Sequence, residues 1–100
     1  MLLEISPDKF DEYLKEPCMV DFYSTTCPAC VQYAPIFESA AAQYDSLTFL
    51  KINIDSDFAL AQRYGIEYIP TTIKFENGEP VSKAVGCISQ DQLEEMVDAP

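Results

Sequence analysis

Short apolar runs alternate with stretches of helical spacing along the chain, the period changing at intervals of about 8 to 18 residues, which is the pattern of an α/β protein. Leu2–Ile5 reads as a short apolar strand. Ser6 and Pro7 follow as N-cap and first helical residue of a helix that places Phe10, Tyr13 and Leu14 on one face and is expected to end near Lys15, before Pro17. Cys18–Tyr23 and residues 47–54 are rich in apolar and β-branched positions, as befits central strands covered on both faces. Between them, residues 28–44 carry Tyr33, Ile36, Phe37, Ala40, Ala41 and Tyr44 at helical spacing, a core stripe, with Pro35 expected to bend the helix. Residues 57–64 predict a further helix closed by Gly65. Thr71–Glu76 and residues 81–85 flank Asn77-Gly78, a hairpin signal. Ser89 and Gln92 stand at capping-box spacing ahead of Leu93, Met96 and Val97, the apolar face of a terminal helix. The predicted order is βαβαβαββα: a mixed central sheet, parallel in its first half and ended by a hairpin, flanked by helices on both faces.

With 100 residues and no repeat or linker, the chain is expected to form one domain over residues 1–100. A core of that size stands without disulfides or metal, which leaves the four cysteines free for chemistry. The formal charge of −11, with no histidine, repels phosphate backbones and anionic lipid, so neither nucleic acid nor a membrane is an expected partner. The N-terminal residues lack a basic segment followed by an apolar run of about 7 to 15 residues, and no window approaches the roughly 18 apolar residues of a membrane span. A cytoplasmic monomer is expected. In a reducing compartment, cysteines at this density point to catalysis or metal binding rather than to a disulfide framework.

Cys27-Pro28-Ala29-Cys30 lies where a predicted strand passes into the long helix, which makes Cys27 the N-cap and places Cys30 one turn inside. A helix N-terminus favours an anion, and the thiolate is the reactive form of cysteine, so Cys27 is the expected nucleophile. Its sulfur is expected to accept from the amides of both Ala29 and Cys30; the Ala29 donor, absent were proline there, would make the disulfide more oxidising. Cys30 is the expected resolving thiol. Cys18, opening a buried strand, reads as a small core residue.

Around this pair the chain resembles the thioredoxin family over nearly its whole length. Val20-Asp21-Phe22 leads to Cys27, Pro35 follows the pair, and Ile52-Asn53-Ile54-Asp55 ends the next strand. Tyr64-Gly65-Ile66 precedes Ile69-Pro70-Thr71, and Asn77-Gly78 precedes Val85-Gly86. The resemblance implies a thioredoxin-like fold and reduction of protein disulfides by dithiol exchange, with no cofactor or metal and a thioredoxin reductase, NADPH- or ferredoxin-linked, as partner. It implies a cis Pro70 facing the cysteines, and an Ile69 backbone that pairs with an extended substrate segment. The turn at Gly86 and Cys87 would lie beside Pro70, so that Pro28, Ala29, Ile69, Pro70, Gly86 and Cys87 form the substrate-binding surface. Cys87 would there fill the apolar rim, with glutathionylation or a bridge to Cys27 as the alternatives. Asp21, a carboxylate in an apolar strand, would be buried with a raised pKa and would take the Cys30 proton, Lys51 on the neighbouring strand tempering its charge. The contrary reading of Asp21 is a surface residue paired with a surface lysine.

Three other readings compete. Zinc ligation by four cysteines fails on spacing, since Cys18 and Cys87 form no second close pair and Cys18 opens the strand whose far end leads to Cys27, about 17 Å or more away. A redox-silent interaction module usually lacks one of the two cysteines. A glutaredoxin-like, glutathione-linked enzyme is favoured by proline directly after the first cysteine, but Val85-Gly86-Cys87 stands where glutaredoxins carry a Gly-Gly followed by acidic residues. Tyr23 and Thr26 occupy positions where thioredoxins usually have tryptophan.

Overall fold

The computed structural model describes residues 1–55 and 57–99. Its elements follow the expected order: β1 (Leu2–Ile5), α1 (Phe10–Tyr13), β2 (Cys18–Tyr23), α2 (Pro28–Gln43), β3 (Thr48–Asn53), α3 (Phe58–Arg63), β4 (Thr71–Glu76), β5 (Glu79–Val85) and α4 (Gln90–Asp98). The five strands form one mixed sheet in the order β1-β3-β2-β4-β5. β3 pairs parallel with β1 and β2, and β4 runs antiparallel to β2 and β5.

Alternation along the strands sends successive residues to opposite faces and so divides the core in two. Val20, Phe22, Leu50, Ile52, Ile73 and Phe75 meet Phe10 and Leu60 under α1 and α3. Met19 and Phe49 meet Tyr33, Phe37 and Ala40 of α2 and Leu93 of α4. Phe10 stands edge-on to Phe22, Tyr64 and Phe75, with ring centroids 5.9, 5.7 and 5.3 Å away. Such quadrupole-matched packing pins β2, the strand that delivers the chain to Cys27. Cys18 lies in this core as expected, and burial pushes its thiol up to about 11. Among the described residues no helix is long and apolar enough to cross a membrane.

Two elements differ from expectation. The first helix opens with a 3₁₀ turn at Pro7–Lys9 and ends at Tyr13. Ser6 gives no side-chain cap hydrogen bond, and its carbonyl instead accepts from Lys9 N–H at 3.0 Å, the tighter pattern that limits such helices to short pieces. β5 begins at Glu79 rather than at residue 81 and contains Pro80, which is tolerated because this is an edge strand and the register shifts at Lys74/Phe75. The hairpin turn itself takes the expected form: Asn77 and Gly78 both have positive φ, 55° and 78°, the conformation that makes Asn-Gly the preferred dipeptide.

The terminal helix carries its predicted capping box. Ser89 Oγ accepts from Gln92 N–H at 3.1 Å, and Gln92 Oε1 accepts from Ser89 N–H at 2.9 Å. Ser89→Ala is expected to cost about 1 kcal/mol, read as a lower urea midpoint with an unchanged slope. At the far end of α4, Lys74 reaches across from β4 and donates to the carbonyls of Val97 at 3.2 Å and Ala99 at 2.7 Å. A buried cation thus meets the negative end of the helix and Glu76, 3.5 Å away.

Candidate active site

β2 ends at Tyr23, and three hydroxyl residues carry the chain into α2. Thr25 Oγ1 donates to Asp55 Oδ2 at 2.9 Å, and Ser24 Oγ and Thr26 Oγ1 share a hydrogen bond of 3.1 Å. The hydroxyls of Ser24 and Thr25 hold the Asp55 carboxyl below the usual carboxylate range, so the loop is clasped by a charged acceptor at the end of β3.

Cys27 is the N-cap of α2 with extended backbone (φ −102°, ψ 112°), and Pro28 takes the first helical position. Among the described residues one amide reaches its sulfur: Cys30 N–H donates to Cys27 Sγ at 3.1 Å. The Ala29 amide expected as a second donor is not among the bonds made, which removes the basis for a more oxidising disulfide. The physical reason is that a one-atom side chain aimed at the third helical amide does not also line up with the second. On its other side Cys27 Sγ lies 3.6 Å from the carbonyl oxygen of Ile69, toward which the thiol donates. Cys27 is half-buried and Cys30 is buried, both as free thiols. Burial, followed by the hydrogen bond and charge of Cys27, pushes the Cys30 thiol up to about 12.

The Ile69-Pro70 peptide bond is cis, as the resemblance implied. The carbonyl of Pro70 accepts from Gly86 N–H at 2.7 Å, which sets the Gly86-Cys87 turn beside the proline loop. Gly86 has a φ of +90°, a conformation side chains rarely adopt. Cys87 is exposed, as are Tyr68 and Val85, the chain neighbours of Ile69 and Gly86.

Beneath the pair, Asp21 is 1% exposed, and neither of its carboxylate oxygens has a hydrogen-bond partner among the described residues. Burial raises it from the usual 3.8 to about 7; Lys51, its register partner on β3, opposes the rise, and Glu4 adds to it. The reading of Asp21 as a solvated surface residue is overturned. A cleft of about 250 Å³ is lined by Tyr23, Cys30, Val31, Ala34 and Lys51, so that the buried cysteine and the lysine border the same space. Lys51 Nζ lies 4.8 Å from the centroid of the Tyr23 ring. Tyr33 and Phe37 are wholly buried as core residues, and the Tyr33 hydroxyl shares a 2.7 Å hydrogen bond with Thr72 Oγ1. Asp55 and Glu4 were not singled out from the sequence. Asp55 ends a quoted motif, a signal that was there to use; Glu4 gave none, because its relation to Asp21 is made across three strands.

The family model for thioredoxin matches residues 1–99. The thioredoxins of Staphylococcus haemolyticus and Staphylococcus epidermidis are each 34% identical over 99 residues, covering 97% of this chain and 95% of the relative. That of Staphylococcus aureus is 33% identical with the same coverage. Two cysteines three positions apart at a helix N-terminus, in a homologue of these proteins, are consistent with thiol-disulfide oxidoreductase activity. A match that runs from the first strand to the last helix, over the fold described above, leaves one assignment: the chain belongs to the thioredoxin family.

Proposed function

We propose that the protein reduces protein disulfides by dithiol exchange. The Cys27 thiolate attacks a substrate disulfide; a Cys27-substrate bond forms, the substrate S–S bond breaks, and the departing sulfur takes up a proton. The Cys30 S–H bond then gives its proton to the Asp21 carboxylate, and its sulfur attacks Cys27 Sγ. A second substrate thiolate leaves, and two electrons have passed from the Cys27-Cys30 dithiol to the substrate. Asp21, with a pKa of about 7, holds its proton loosely enough to take and return it near neutrality, the condition for an efficient general base. Lys51 limits how far burial raises it. The exposed apolar residues around Ile69, Pro70 and the Gly86-Cys87 turn would receive an extended substrate segment by main-chain pairing, with Pro28 and Ala29 on the opposite wall. By homology the partners are disulfide-bearing proteins and a reductase that returns the pair to the dithiol.

One observation carries this reading: an accessible sulfur capping a helix is bonded to the amide of a buried second cysteine whose thiol holds its proton firmly. The asymmetry favours attack by Cys27 and resolution by Cys30. Cys30→Ser is therefore expected to accumulate a covalent adduct with oxidised insulin through Cys27, detected as a mass shift that dithiothreitol reverses. Absence of any adduct would sink the proposal. Supplying the oxidised protein with an NADPH-linked and, separately, a ferredoxin-linked reductase would identify which class recycles it.

A further inference from the structure

Glu4 on β1, Lys51 on β3 and Asp21 on β2 are consecutive register partners, so one row of the sheet carries an acid, a base and an acid. Neighbouring strands lie about 4.8 Å apart, and the lysine therefore stands between an exposed carboxylate on the edge strand and a buried one in the centre. It is not hydrogen-bonded to the buried one, since both Asp21 oxygens are without such a partner among the described residues. Its ammonium rests instead on the Tyr23 ring, a cation-π placement, while the Tyr23 hydroxyl donates to Glu4 Oε2. Tyr23 thus holds Lys51 with its face and Glu4 with its edge.

We propose that Glu4 is a positioning residue for the resolving step: by tethering Tyr23 it keeps the Lys51 ammonium on that ring, and so leaves the Asp21 carboxyl free to exchange a proton with Cys30. The proposal rests on the dithiol-exchange reading above. The remaining groups that face Asp21 do not take over this task. Cys30 and Tyr33 approach from α2, and each feels the Asp21 charge as a rise in its own proton affinity. The Tyr33 hydroxyl is engaged with Thr72, the register partner of Asp21 on β4, which carries no charge. Lys51 is the cation beside Asp21, and Glu4 and Tyr23 decide where its ammonium rests. Neutralising Glu4 removes one negative charge from the row and replaces a charged acceptor of the Tyr23 hydroxyl by a weaker one, which loosens the ring and lets Lys51 turn toward Asp21; both effects stabilise the ionised carboxyl.

The experiment titrates the Asp21 carboxyl carbon by NMR in the reduced full-length protein and follows the pH profile of mixed-disulfide resolution. Glu4→Gln is expected to lower both midpoints by about half a pH unit or more. Tyr23→Phe, which keeps the ring and loses the tether, should move them in the same direction by less. Because Glu4 is exposed, the difference between wild type and Glu4→Gln should shrink in about 1 M salt, where the screening length falls to about 3 Å. An unchanged Asp21 midpoint in both variants, a midpoint that moves without the resolution profile, or a shift indifferent to salt would each overturn the proposal. Failure of the exchange reading itself is seen elsewhere, in a Cys30→Ser variant that forms no adduct.

Discussion

Cys27→Ser is expected to lose insulin-disulfide turnover by at least about a thousandfold while folding as well as the wild type. The two halves of this result have different causes. Exchange requires a sulfur that attacks as a thiolate and then accepts a second attack as one half of a disulfide, and a serine oxygen does neither. Cys30 does not substitute, since it is buried and its thiol is held near 12. Stability is another matter, because Cys27 caps α2 by accepting from Cys30 N–H, and serine is among the best residues for that position. Its oxygen takes over the same amide. Insulin turbidity in dithiothreitol, set beside a urea unfolding curve, checks both halves. Turnover retained in Cys27→Ser would place the chemistry at another thiol, the exposed Cys87 first among them.

Local signals along the chain located most of the frame. Asn77-Gly78, the Ser89 capping box and the Cys27 N-cap each depend on residues within four positions of one another, and each takes the expected form. The stripe from Tyr33 to Ala41 and the apolar strands separated into two cores because period 3.6 and period 2 can be read directly. What was not legible depends on partners far away in sequence. Lys74 looks like a surface residue of a hairpin strand until α4 brings the carbonyls of Val97 and Ala99 over it. Asp55 acquires its place only when the loop at Thr25 folds onto it, 30 residues away in sequence. Ser6 shows the converse failure, for a strong local cap signal yielded to a 3₁₀ turn that satisfied the same amide with a backbone carbonyl. At the site, the strand position of Asp21 and its pairing with Lys51 followed from the apolar context and the resemblance. That Lys51 rests on Tyr23 rather than on Asp21 did not follow, because register fixes strand neighbours and leaves the last carbon atoms of a lysine free to choose.

Asp21→Asn is expected to stabilise the protein at alkaline pH and to slow it as an enzyme. An acid whose folded pKa lies near 7 against a usual 3.8 keeps its proton when folded over a range in which the unfolded chain has released it. Between these values the folded state binds the extra proton, so stability falls as pH rises, and the loss is complete above about 7. Each pH unit of that interval is worth about 1.4 kcal/mol, so the ionised carboxylate costs on the order of 4 kcal/mol at about pH 8. Asparagine has the same shape and no proton to lose. Any hydrogen bond that its amide leaves unmade costs the same at every pH and leaves the slope untouched. The difference in unfolding free energy between variant and wild type should therefore be small near pH 4, grow through pH 7 and level off beyond, as read from urea curves at a series of pH values. Resolution of the mixed disulfide should at the same time slow by about a hundredfold, the usual contribution of a positioned general base. A stability difference independent of pH would mean that Asp21 does not carry its proton into the neutral range, and would withdraw it from the mechanism. Found together, the two changes would show a charge kept in the core against stability because the exchange at Cys30 needs somewhere to put a proton.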